Sequence, residues 1–66
     1  MKRIDVHYGG ELYTIGGREV AELQAEILAG LAAGGYWLSV NDGEGARRDA
    51  HLLLHAGVPI TLIPVP

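Results

Sequence analysis

The chain contains no cysteine and no phenylalanine. Without thiols there is no disulfide and no cysteine-based zinc site, two devices that often stabilise very short domains. Cations are scarce as well. Five Lys and Arg stand against eight Asp and Glu, for a formal charge of −3. Nucleic-acid modules draw their affinity from a basic face that neutralises phosphates. Here the cations are dispersed as Lys2-Arg3, Arg18 and Arg47-Arg48, so nucleic acid is not an expected partner. No apolar run approaches the roughly 20 residues that cross a bilayer. The opening stretch Met1–His7 alternates polar and apolar residues, with Asp5 where a signal peptide would be uniformly apolar. The expectation is a cytoplasmic protein with no membrane partner. Arginine outnumbers lysine four to one, a bias common in GC-rich bacterial genomes that carries no functional information.

What is present is apolar content of 48% over 66 residues, enough for one folded domain spanning 1–66. A core this small rarely supplies more than about 3–5 kcal/mol unaided. With disulfides excluded, the remaining supports are very good packing, a His/carboxylate metal site, or a partner chain.

Residues 3–15 read as a β-hairpin. Ile4, Val6 and Tyr8 alternate with Arg3, Asp5 and His7, and Gly9-Gly10 is a two-residue turn. Pairing across it sets Tyr8 opposite Glu11, Val6 opposite Tyr13 and Ile4 opposite Ile15. Asp5, His7, Leu12 and Thr14 then share the other face. Residues 18–33 read as an amphipathic helix: Val20, Leu23, Ile27 and Leu31 form its apolar stripe. Glu19, Glu22 and Glu26 fall off that stripe, with Glu19 placed in the first turn to complement the helix dipole. Gly34-Gly35 supplies the stop.

Residues 36–40 read as a strand with Tyr36, Leu38 and Val40 on one face, and Asn41–Gly45 as a turn. Residues 46–56 admit two readings. As a helix they would put Ala46, Ala50, Leu53 and Leu54 on one side; as a strand over 49–55 they would turn at 56–59 and pair with 60–64. The strand is preferred, because the spacing suits a meander. Pro64 points to an edge or a strand end. The expected fold is α+β in the order β-β-α-β-β-β: a small, largely antiparallel sheet of four or five strands with one helix on one face.

No motif specifies a reaction. The candidate nucleophiles are Ser39, Thr14 and Thr61, and no spacing places a histidine beside Ser39, so no catalytic residue and no cofactor are assigned. His51 and His55, with Asp49 near, could chelate a metal if 46–56 were helical. On a strand the two histidines lie about 13 Å apart, too far for one ion. Gly16-Gly17 with Arg18 could hold an anion at the helix start, but matches no phosphate-loop pattern. Asn41-Asp42-Gly43-Glu44 lacks calcium-loop spacing.

Trp37 faces away from Tyr36, Leu38 and Val40, as Leu12 faces away from the first hairpin's apolar side. One helix covers one face of a sheet, so the second face needs another cover. The reading is a non-enzymatic interaction module, expected to be a homodimer or to bind another protein. Trp37 and Leu12 would be its anchors, with His7, Arg47 and Arg48 at the rim. The alternative is a small-ligand or metal-binding domain using Asp49, His51 and His55.

Overall fold

Gly9 and Gly10 both adopt positive φ, 61° and 84°, which matches the twist a two-residue hairpin requires. They join β1 (Arg3–Tyr8) to β2 (Glu11–Gly16), with Tyr8 opposite Glu11, Val6 opposite Tyr13 and Ile4 opposite Ile15. This computed structural model describes residues 2–43 and 46–66. Of the predicted turn Asn41–Gly45, Glu44 and Gly45 therefore lie outside the described residues.

Helix α1 runs Val20–Ala32, shorter at each end than the sequence reading. Glu19 is its N-cap residue in extended conformation, so the first-turn acid is Glu22 instead. The Glu19 carboxylate turns back to Lys2. At the other end the Gly34 amide donates to the Leu31 carbonyl (3.0 Å) and the Gly35 amide to that of Gly30 (3.2 Å). That paired pattern needs a left-handed residue after the cap, and Gly34 supplies it at φ 103°.

The chain continues through β3 (Tyr36–Asn41), β4 (Asp49–Leu54) and β5 (Ile60–Val65). Residues 46–56 thus contain a strand, not a helix. All five strands form one antiparallel sheet in the order β4-β3-β2-β1-β5. The expected α+β class and element order hold, but the partner of the last strand is corrected. β5 does not pair with β4. It pairs with β1 along its whole length, from Arg3 opposite Val65 to Tyr8 opposite Ile60.

The reason is the coil of the sheet. β2 and β3 share one bridged pair, Thr14 with Asn41, and then part. Tyr8 pairs with Glu11, three residues before Thr14; carried across Asn41 and Asp49, its row meets the line of β4 at residue 46. Leu53 is seven residues further on, about 23 Å in a flat sheet. Yet the Tyr8 hydroxyl donates to the Leu53 carbonyl at 3.2 Å and accepts from the His55 amide at 3.3 Å. The accumulated twist must therefore bring the end of β4 back to the end of β1. From there residues 55–59, with a turn bond from the Val58 amide to the His55 carbonyl, reach the start of β5 beside Tyr8. Pro64 then sits on an edge strand, where its missing donor is tolerated.

The core lies between α1 and the inner face of the coil. Ile4, Val6, Ile15, Leu38, Val40 and Leu54 from the strands bury against Leu23 and Ile27 from the helix. Full burial of one such side chain is worth about 1.5–3 kcal/mol. Glu26, placed by its spacing off the apolar stripe, is half-buried instead: it accepts from Arg18 at 2.5 Å and from the Tyr36 hydroxyl. Gly30 makes room for this, since a Cβ there would collide with the Tyr36 Cβ and Cγ.

Candidate functional site

Strand alternation decides what the outer face of the sheet presents. With Leu38, Val40 and Leu54 turned inward, Trp37 and Leu53 turn outward, and the ladder sets them directly opposite each other. On β2 and β5 the same parity turns Leu12 and Ile63 outward. These four remain exposed at 62% (Trp37), 50% (Leu53), 53% (Leu12) and 44% (Ile63). The coil of the sheet leaves the outer face uncovered. A third exposed leucine, Leu28 at 68%, lies on the solvent side of α1.

Along the ladder Trp37 lies four residues before Asn41 on β3, and Leu12 lies two residues before Thr14 on the antiparallel β2, so six residue positions separate them. Between them runs a polar row, Asp49, Asn41, Thr14 and Asp5, with Ile63 at its end. The apolar centre of the face is accordingly the Trp37–Leu53 pair at one corner. The sequence leaves open whether Leu53, or Leu52 with Leu54, shares the face of Trp37, and the ladder selects Leu53. The signal was the parity of β4, usable only once its pairing with β3 was known.

The predicted rim is not where Trp37 is. His7 lies between Leu12 and Thr61 at the far side. Arg47 precedes β4 at the end remote from Leu53 and donates Nε to Asp49 at 3.0 Å. Arg48 donates Nε and Nη2 to Asp42 at 2.7 and 3.1 Å. That bond holds the Asp42 carboxyl below, and the Arg48 guanidinium above, its usual range. The neighbours of Trp37 and Leu53 are Ser39 and His51 instead, the next outward pair on the same two strands.

Ser39 Oγ and His51 Nδ1 are 3.2 Å apart. The fold thus supplies the histidine that no sequence spacing placed there. Acyl transfer needs a third group to orient the imidazole and donors for the oxyanion. Asp49, the nearest carboxylate along the strand, is held by Arg47. The pair therefore adds a polar contact beside the tryptophan, not a triad. His55 lies past the end of β4, and among the described residues no three His, Asp or Glu side chains converge as a metal site would require.

Away from that face, Arg18, Glu26 and Tyr36 tie the helix entry to β3. The Arg18 hydrogen bond, seconded by that of Tyr36, holds the Glu26 carboxyl below its usual range. The bond to Glu26 raises the Tyr36 phenol and the Arg18 guanidinium above theirs.

No family model, curated protein or solved structure matches this chain. No helix among the described residues is long and apolar enough to cross a membrane.

Proposed function

We propose that this chain is a protein-interaction module that self-associates through the outer face of its sheet, centred on Trp37 and Leu53. One observation carries the reading: a tryptophan and a leucine form a cross-strand pair, each at least half exposed, on a face the helix does not cover. Large aromatic side chains at the centre of a surface are the usual energetic anchors of association, and a polar surround excludes water from them. Ser39 and His51 stand in that place here.

A second copy is the occupant to which this reading commits: an identical chain brings the same Trp37–Leu53 pair, and burying that corner in both copies would add apolar area to a 66-residue core. Sedimentation equilibrium across the micromolar range tests the reading. The wild type should show a monomer–dimer equilibrium, and Trp37→Ser and Leu53→Ser should each shift it to monomer with unchanged circular dichroism. A wild type that stays monomeric at high micromolar concentration contradicts it.

A further inference from the structure

The point where β2 and β3 part company opens a cleft, distinct from the tryptophan corner, whose walls include outward strand residues, the core residues Ile15 and Val40, and Arg18 at the helix entry. Its two adjoining parts each enclose about 560 Å³ and share Lys2, Thr14, Gly16, Asn41 and Arg47 as walls. Arg3 completes one part, and Arg18, Ser39 and Asp49 complete the other. Among the described residues, Lys2, Arg3, Arg18 and Arg47 line this cleft with one acid, Asp49. Each of the four cations is also paired with a carboxylate, so the cleft gathers cationic groups without a net excess of positive charge. The rest of the lining mixes the Thr14, Ser39 and Asn41 side chains and glycine backbone with the apolar Ile15, Val40 and Ala46.

The sequence builds this symmetrically. The spacing Arg-x-Asp-x-His occurs twice, as Arg3-Ile4-Asp5-Val6-His7 and as Arg47-Arg48-Asp49-Ala50-His51. On a strand that spacing puts all three side chains on one face. Ladder register places Asp5, Thr14, Asn41 and Asp49 in a single row, so the two arginines approach the cleft from opposite strands. In each case the aspartate holds Nε at 3.0 Å. Held by Nε, each guanidinium keeps its terminal nitrogens for a ligand. The carboxylates of Asp5, Glu19 and Glu26 pair with the cations without lining the cleft. The Lys2–Glu19 and Arg47–Asp49 pairs are exposed, and such pairs contribute little, whereas Arg18 is held on the half-buried Glu26.

We propose that this cleft binds a phosphate group carried by a small molecule, clamped between Arg3 and Arg47 with Lys2 and Arg18 completing the charge. Two planar guanidinium forks, each able to donate to a pair of phosphate oxygens, recognise phosphate more specifically than point charges do. The test is a titration of the isotope-labelled protein with inorganic phosphate and then pyrophosphate, followed by amide chemical shifts at constant ionic strength. Saturable shifts are expected at Thr14, Gly16, Ser39 and Asn41, with pyrophosphate binding more tightly. Arg47→Gln should weaken binding about tenfold, about 1.4 kcal/mol. Arg48→Gln, which breaks a pair outside the cleft, should leave it unchanged. Trp37→Ser should also bind as the wild type does, which separates this site from self-association. Shifts no different from those given by chloride would overturn the proposal. So would equal weakening by the Arg47 and Arg48 variants, or binding of an oligonucleotide without saturable binding of phosphate.

Discussion

The Tyr8 hydroxyl bonds the Leu53 carbonyl at 3.2 Å although two strands lie between β1 and β4. The same oxygen takes the His55 amide, so a side chain closes the coil where a strand pairing is missing. Tyr8→Phe keeps the ring and removes both bonds. It should cost about 1–2 kcal/mol, which in a domain of this size lowers Tm by about 4–8 °C per kcal/mol. Calorimetry of the two proteins reads this directly. An unchanged Tm would mean that the coil is held by apolar packing alone.

Gly30 yields a prediction with a sign that reverses. Alanine in place of a helical glycine normally gains about 1 kcal/mol. Here the added Cβ meets the Cβ and Cγ of Tyr36, so Gly30→Ala should lose about 1–3 kcal/mol. In a Tyr36→Gly background both the Cβ and the ring are gone, and the same substitution should become stabilising. Urea unfolding of the four proteins in that cycle checks both signs.

The Arg18–Glu26–Tyr36 cluster sets a pH dependence at both ends of the scale. Glu26 is lowered in the folded chain, so its contribution is full above the ordinary glutamate range and is lost as pH falls through the folded value. Tyr36 is raised, so its contribution is full below the ordinary tyrosine range and is lost as pH rises through the folded value. Stability measured by denaturant unfolding should therefore fall on both the acid and the alkaline side. Glu26→Gln should flatten both limbs; a variant with unchanged slopes would remove the cluster from the account.

Leu23 is fully buried and lies at the centre of the helix stripe. Leu23→Ala should cost about 2–5 kcal/mol. That is comparable to everything a core of this size supplies, about 3–5 kcal/mol. The variant should be largely unfolded by circular dichroism at 25 °C.

Local chemistry was legible in the sequence and long-range geometry was not. Gly9-Gly10 and the alternation from Ile4 to Ile15 dictated the first hairpin and its register, because turn length and parity leave no other match. Val20, Leu23, Ile27, Leu31 and Gly34 dictated the helix and its end in the same way. Loop lengths favour a strand over 49–55, and β4 spans Asp49–Leu54. The pairing of β5 escaped, because it depends on a coil summed over the whole sheet, and no short window records that sum. The same gap left the choice between Leu53 and Leu52 with Leu54 open and hid His51 from Ser39. Arg47 and Arg48, expected at the rim of a surface anchored by Trp37 and Leu12, stand at the end of β4 remote from Leu53.

The outer face offers a built-in probe of self-association, since Trp37 is the one tryptophan of the chain. Its fluorescence should be read from nanomolar to high micromolar protein. If a second copy covers the Trp37–Leu53 pair, the emission maximum shifts to the blue with concentration, in step with the rise in mass. An emission maximum that stays at the wavelength of a water-exposed indole over the whole range would contradict the proposed interface.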